Sequence, residues 1–259
     1  MRIHPVPAFT DNYIWVIDQH QSEQDTRACI IVDPGDAVPV FAYLEQENLV
    51  PEAILLTHHH WDHTGGVQDL LKRYPCPVYG PHSTQIDSVT HPLREGEEIQ
   101  LLNGSLQLRV LECPGHTLDH IAFYNDTHLF CGDTLFAAGC GRMFEGQPAQ
   151  FYQSLQKLAA LPARIKVYCA HEYTAANLRF AAAVEPENQA IHERAQQVAR
   201  LRSENKVSLP SRMAEELATN PFLRVEKSFV RNAAELKEKR ALNTPEEVFA
   251  SIRRWKDTF

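Results

Sequence analysis

The chain has 259 residues, 44% of them hydrophobic and 22% charged, with a formal net charge of −8. This is ordinary for a soluble globular protein, and the length is enough to bury a core without staples. The acidic balance argues against a nucleic-acid binder, which usually carries a basic face, and no apolar run approaches the roughly 18 residues of a membrane span.

The start of the chain is broken by Pro5, Pro7, Asp11 and Asn12 and lacks the shape of a signal peptide. A cytoplasmic monomer is expected. Short β-rich runs follow at Ile14–Ile17, Ala28–Val32, Ala53–Leu56, Val78–Tyr79, Leu106–Leu111, Ile121–Tyr124, Leu129–Cys131 and Lys166–Cys169. Several are continuously apolar, as strands buried on both faces are. Leu106, Leu108 and Val110 alternate with polar neighbours, which predicts a half-exposed strand. Val67, Leu70, Leu71 and Tyr74 recur at helical spacing after Gly65-Gly66, and Phe151, Leu155, Leu158 and Ala159 do the same. The pattern predicts an α/β layered architecture over residues 1–172.

From about Ala170 the strand-like runs stop. Ile191, Ala195, Val198 and Leu201 mark an amphipathic helix. Thr244-Pro245-Glu246-Glu247 reads as an N-cap, a first-position proline and a capping glutamate, opening a helix that turns Val248, Ile252, Trp255 and Phe259 inward. Residues 173–259 are expected to form a helical domain. The six cysteines, Cys29, Cys76, Cys113, Cys131, Cys140 and Cys169, contain no C-x-x-C pair and are expected as reduced thiols.

The sharpest feature is Thr57-His58-His59-His60-Trp61-Asp62-His63, which follows the apolar run Ala53–Leu56. It is placed on a strand-to-helix loop, where open α/β sheets bind ligands. In extended backbone His58 and His60 point to one side, while the adjacent Asp62 and His63 can aim at a second ion. Three later segments each put a metal-capable residue just past a β-rich run: Cys113-Pro114-Gly115-His116-Thr117, Cys131-Gly132-Asp133-Thr134 and Cys169-Ala170-His171-Glu172. The set is His58, His60, Asp62, His63, His116, Asp133 and His171. It is too large for one tetrahedral zinc and suits two ions. His58, His60 and His116 are assigned to the first ion, Asp62, His63 and His171 to the second, and Asp133 to a bridge. Imidazoles and carboxylates accept zinc, the favoured metal, and also iron or manganese.

The other histidines differ. His59 should point away from its neighbours. His120 is either a second contact of the site or a plain core residue. His4, His20, His82, His91, His128 and His192 have no ligand-like partners nearby in sequence. Asp33 either orients a ligand histidine through its second ring nitrogen or caps a turn. Cys140 either lies beside the metals or is an inert thiol.

The motifs T-H-x-H-x-D-H, P-G-H-T, G-D-T and the late A-H-E resemble those of the metallo-β-lactamase superfamily. The resemblance implies an αββα sandwich with the motifs on strand ends. A narrower resemblance is to the hydroxyacylglutathione hydrolase (glyoxalase II) family. It is carried by Asp11-Asn12-Tyr13, Val32-Asp33-Pro34-Gly35-Asp36, Gly132-Asp133-Thr134-Leu135-Phe136, Gly139-Cys140-Gly141-Arg142, Phe144-Glu145-Gly146, His171-Glu172-Tyr173-Thr174, Asn220-Pro221-Phe222-Leu223-Arg224 and Arg253 with Lys256. It implies a binuclear-metal thioesterase that cleaves S-(2-hydroxyacyl)glutathione, typically S-lactoylglutathione, to D-lactate and glutathione in methylglyoxal detoxification. It also implies that Arg142, Phe144, Tyr173, Arg253 and Lys256 read the glutathione. The family often has lysine and tyrosine where this chain has Arg142 and Phe144. Arginine keeps a cationic donor, whereas Phe144 loses a hydroxyl.

The expected chemistry is attack by a hydroxide held between the metals. Zinc brings the pKa of bound water from 15.7 to about 7, and Asp62 and Asp133 serve as the catalytic carboxylates. Two other readings compete. A persulfide dioxygenase on the same scaffold would use one iron and fewer ligands. A metal-sensing protein would need a closed coordination sphere rather than open positions beside a basic tail.

Overall fold

The computed structural model describes residues 1–19 and 26–259; His20 lies outside the described residues. The chain divides into two compact units. The first comprises Met1–Glu112, Asp119–Asn125 and Leu129–Gly132; the second comprises Cys113–Leu118, Asp126–His128 and Asp133–Phe259.

The first unit opens with β1 (Arg2–Ala8) and β2 (Asn12–Asp18), paired antiparallel from Arg2↔Asp18 to Ala8↔Asn12. β1 is an edge strand, which is why Pro5 and Pro7 are tolerated in it. The sequence reading missed this strand because it weighed the prolines as breakers. β2 is buried along its whole length; its β-branched and aromatic run is what a two-sided strand selects. Asp18 at its end is buried, and Arg2 and Arg27 at 2.7 and 3.3 Å balance its charge.

β3 (Arg27–Val32) continues antiparallel to β2. α1 (Ala37–Glu47) then crosses to β4 (Leu49–Leu55), which runs parallel to β3. Asp36 caps α1 by accepting from the Val38 amide at 2.9 Å, and Asn48 ends it in the left-handed conformation. This helix also went unread, because apolar residues such as the exposed Val38 lie on its outer side too and weaken the period. α2 (Trp61–Thr64) and α3 (Val67–Arg73) lead to β5 (Val78–Pro81) and β6 (His91–Leu93), which complete the sheet in sequence order, β1 to β6. Val16, Ile31, Val40, Leu44, Ile54, Leu56, Val67 and Leu70 are fully buried in one cluster. Each such side chain contributes about 1.5–3 kcal/mol, so this cluster fixes where β4 ends and the histidine-rich segment begins.

In the same unit β7 (Glu98–Leu101), β8 (Leu106–Glu112), β9 (Ile121–Tyr124) and, from Leu129 on, β10 (His128–Gly132) lie side by side, antiparallel. β8 shows the expected alternation, with Leu106, Leu108 and Val110 inward.

The second unit begins its main run with a hairpin, β11 (Leu135–Phe136) and β12 (Gly139–Cys140). Next come α4 (Pro148–Ala159), β13 (Lys166–Cys169), α5 (Thr174–Val184), α6 (Gln189–Ser203), β14 (Ser211–Arg212), α7 (Met213–Thr219), α8 (Ser228–Glu238) and α9 (Pro245–Asp257). In α9 the Thr244 hydroxyl accepts from the Glu247 amide at 3.3 Å, as its sequence foretells, while the Glu247 carboxylate reaches the Asn243 amide at 2.6 Å. Val248 and Ile252 face inward. Phe259 does not: it is exposed past the last turn, though its ring stays 5.3 Å from that of Phe180. The cysteines are all free thiols. Among the described residues no helix is long and apolar enough to cross a membrane.

Candidate metal centre

The histidine-rich segment starts two residues after β4 and leads into the single turn of α2. His58 and His60 therefore precede a helix, while Asp62 and His63 stand on it rather than on a loop. The His58 and His60 rings are 4.8 Å apart and edge-on. His59 turns to Asp119, with its Nδ1 3.0 Å from Oδ1, and so points where the alternation places it. His120 stacks on His58 at 4.7 Å between ring centres.

Asp33 organises this segment. It accepts the Thr57 amide at 2.8 Å and the Thr57 hydroxyl at 2.7 Å, and its Oδ2 lies 3.0 Å from His63 Nδ1. A carboxylate accepts only, so His63 carries its proton on Nδ1 and keeps the lone pair on Nε2. The Thr57 hydroxyl spends its one proton on Asp33. It must then accept from His58 Nδ1, 3.0 Å away, which puts the His58 lone pair on Nε2. Asp33 thus fixes the His63 ring and also anchors the strand end. Asn12 donates to Asp62 Oδ2 at 3.0 Å, and Asp62 lies 3.5 Å from His63 Nε2.

In the second unit His116 Nδ1 lies 2.6 Å from the carbonyl oxygen of Arg142. A carbonyl also only accepts, so this histidine too presents Nε2 as its lone pair. Asp133 divides its oxygens: Oδ2 is 3.4 Å from His116 Nε2, and Oδ1 is 3.3 Å from His171 Nε2. The Tyr173 ring stacks on His171 at 4.8 Å and 3°, and Phe136 meets that imidazole edge-on.

Three groups have ligand atoms within 4.8 Å of one another: His58, His60 and His116; His58, His63 and Asp133; and Asp62, His63 and His171. The first and third contain the residues expected at the first and second ion, and Asp133 enters through the other group. Neutral imidazoles with fixed tautomers and two carboxylates are the donor chemistry of a binuclear zinc, iron or manganese centre.

The residues expected to read glutathione are placed unevenly. Arg142 is exposed, its guanidinium 5.9 Å from the ring of Phe144 and its Nε 3.6 Å from Asp257. Phe144 is 60% exposed and lies edge-on to His116 at 5.3 Å. Lys256 is half-buried, and burial, then Arg253 and Arg179, lower its pKa. Arg253 is buried, and its guanidinium is turned to Cys140, Gly141 and Asp257. Burial pushes the Cys140 thiol up to about 11 against the pull of Arg253, so this sulfur is a thiol at neutral pH. Sequence reasoning missed Thr57, Asn12 and Asp257. Asp257 had a signal, since it stands four residues after Arg253 on one helix.

Residues 10–171 match the family model of the metallo-β-lactamase superfamily, and residues 172–259 match that of the hydroxyacylglutathione hydrolase C-terminus. The hydroxyacylglutathione hydrolase of Idiomarina loihiensis is 51% identical over 257 residues, 99% of each chain. That of Alkalilimnicola ehrlichii is 52% identical over 252 residues, 97% of each chain. The chain belongs to the hydroxyacylglutathione hydrolase family. Among solved structures, that of ETHE1 from Myxococcus xanthus gives a TM-score of 0.65 at 23% identity, covering 100% of this chain and 99% of that one. The BLEG-1 B3 metallo-β-lactamase gives 0.60 at 23% identity, covering 86% and 98%. At that identity the likeness bears on the fold, the metallo-β-lactamase-like α/β sandwich that the motifs implied. As a hydroxyacylglutathione hydrolase family member with two His/Asp clusters, the chain is an enzyme, a metal-dependent hydrolase.

Proposed function

We propose that this chain hydrolyses S-(2-hydroxyacyl)glutathione, with S-lactoylglutathione as the typical substrate, to a 2-hydroxy acid and glutathione. The observation that carries the reading is the full-length match to hydroxyacylglutathione hydrolases, which takes in the metal-capable groups and the C-terminal segment together.

In this reading residues 1–172 carry catalysis and residues 173–259 hold the peptide. His58, His60 and His116 would hold one ion, and Asp62, His63 and His171 the other, with Asp133 shared. Bound cations supply an acidic water and an electrophile for the thioester carbonyl. The chain's own part is orientation. Asp33 and Thr57 fix the donor nitrogens of His58 and His63, and the Arg142 carbonyl fixes that of His116. Tyr173 holds the plane of His171. Asn12 aims Asp62.

Arg142, Arg253 and Lys256 offer cations to the two carboxylates of glutathione. Phe144 and Tyr173 add ring surface on either side of the metal-facing histidines. Phe144 has no hydroxyl to donate, so the backbone and Arg142 must supply recognition there. A monomer suffices for a chain that holds the whole candidate donor set, and the cytoplasm is the proposed compartment.

The test is direct. Purified protein loaded with zinc is given S-lactoylglutathione, and thioester loss is followed in the ultraviolet. Hydrolysis that disappears on chelation and returns with metal is expected. Oxygen uptake with glutathione persulfide and no thioester loss would replace this reading with the dioxygenase.

A further inference from the structure

We propose that Trp61 and Phe9 contact the substituent of the substrate's acyl group, and that the chain gains binding through them from apolar and above all aromatic substituents. The inference deepens the reading above and rests on it.

Trp61 is the first residue of α2 and stands between His60 and Asp62. His58 and His63 are fully buried, whereas His60 and Asp62 are partly open. The two open donors of this segment are thus the immediate chain neighbours of Trp61. Its side chain is 67% exposed, more than any other Phe, Tyr or Trp of the first unit among the described residues. A ring left in water there forfeits the gain that burial would bring, and a ligand can recover it.

Phe9 meets Trp61 from the turn between β1 and β2. The rings lie 4.9 Å apart and edge-on. Phe9 is 47% exposed, and its backbone is held at φ 51°, in the left-handed region that so bulky a side chain rarely enters. Outliers of this kind gather at ligand sites. The same turn is tied to the donor set: Asn12, paired with Ala8 across it, donates to Asp62 Oδ2 at 3.0 Å. Gly35 lets the ring come close. A Cβ on Gly35 would sit 2.9 Å from Phe9 Cε2 and 1.8 Å from the Asp62 carbonyl oxygen. Phe9 is therefore seated against the backbone that carries Asp62, and with Trp61 it presents an uncharged aromatic surface beside that residue.

A thioester has two arms. The sulfur arm is the peptide, and the residues that the reading gives to it, Arg142, Phe144, Tyr173, Arg253 and Lys256, all belong to the second unit. The carbonyl has to lie at the donor set for the reaction to occur there. The acyl arm then needs a surface of its own, and the pair beside Asp62 offers one without charge. The methyl of a lactoyl group can cover little of it. The phenyl ring of a mandeloyl group can cover more and can take the edge-on or offset packing that aromatic rings prefer.

The experiment measures kcat/KM of zinc-loaded protein for S-mandeloylglutathione and S-lactoylglutathione. It compares the unaltered chain with Trp61→Ala, Trp61→Phe, Phe9→Gly and Val38→Ala, with zinc content read on each sample. The mandeloyl-to-lactoyl ratio is expected to fall about tenfold in Trp61→Ala, the low end for an apolar contact because this one is only partly enclosed. Phe9→Gly should lower it by less, and in both variants the change should come through KM for the mandeloyl thioester. Trp61→Phe keeps a ring and should hold most of the ratio. Val38→Ala, on the exposed side of α1, should hold all of it. Glycine suits a left-handed backbone, so Phe9→Gly carries the test if loss of Trp61 disturbs α2. An unmoved ratio in both Trp61→Ala and Phe9→Gly, or equal losses on the two substrates in both, would overturn the proposal and leave the thioesterase reading standing. Failure of the unaltered zinc-loaded protein to cleave either thioester would bring down that reading and the proposal with it.

Discussion

Thr57 gives its hydroxyl proton to Asp33 Oδ2 across 2.7 Å, and that proton decides which nitrogen of His58 can bind a metal. If the hydroxyl were free to turn, it could donate to His58 Nδ1 and leave Nε2 protonated. Asp33 also holds His63 through Nδ1, so one carboxylate sets two imidazoles that the proposed reading gives to different ions. Asp33→Ala should therefore weaken both sites together, by about 10–100-fold in metal affinity. Thr57→Val should mainly affect the site that contains His58. Metal content after graded chelation checks this. Equal, full retention in both variants would remove the role assigned to Asp33.

The residues of the three candidate metal groups were legible because metal chemistry leaves a narrow signature. Only a few residue types serve, and here each falls just after a buried β run whose apolar composition is itself readable. His59 could be set aside by alternation alone, and the structure turns it to Asp119. The residues that tune those donors were not legible in the same way. Thr57 and Asn12 act through single hydrogen bonds to partners 24 and 50 positions away, and no local period reports such a bond. The Arg142 carbonyl carries no side-chain signal at all. β1 and α1 were lost for an opposite reason: their local signals, two prolines and a mixed helix face, were read without the sheet edge and the Asp36 cap that make them acceptable. Phe259 was read inward on helical period, but the period ends with the helix.

Glu216, on α7, is buried and accepts from the Ala138 amide at 2.7 Å and from Asn220 at 3.1 Å. Asn220 in turn donates to the Phe136 and Gly139 carbonyls. The pair clamps the hairpin of β11 and β12. Burial raises the Glu216 pKa to about 7, against the pull of its hydrogen bonds and of Arg194. The folded value lies above the unfolded one, so the stabilising contribution of the neutral acid is complete below the ordinary carboxylate range. It is lost as pH rises through about 7. Glu216→Gln cannot ionise and keeps one acceptor. Relative to this variant, the unaltered protein should lose on the order of 1–3 kcal/mol between pH 5 and 8. Thermal melting of both proteins across that range supplies the measurement, and parallel curves would count against a titrating clamp.

Lys256 should behave as a substrate contact. Its ammonium is half-buried and has a lowered pKa from burial and from the nearby Arg253 and Arg179, which makes a carboxylate partner welcome. Lys256→Ala should raise KM for a glutathione thioester about tenfold, the loss of roughly one charge-assisted hydrogen bond. kcat should change little, and metal content should stay at the unaltered level. A small thioester without the peptide should be hydrolysed equally by both proteins. If the variant instead lowers kcat on both substrates, the lysine belongs to the metal centre and not to the ligand.

Asp133 puts one oxygen toward His116 and the other toward His171, and an amide cannot imitate that arrangement. Asp133→Asn keeps one acceptor but replaces the second with two hydrogens, and it removes a negative charge from among cations. The variant should bind no more than one ion firmly and lose at least about 100-fold in kcat, because an electrophile for the thioester carbonyl is lost with the ion. Its fold should survive, because the hairpin beside it is held by Asn220 and Glu216 rather than by the Asp133 side chain. Elemental analysis of the purified variant, with turnover measured on the same sample, decides the matter. Two firmly held ions per chain with ordinary turnover would mean that Asp133 does not join the two sites, and a single-ion mechanism would have to take its place.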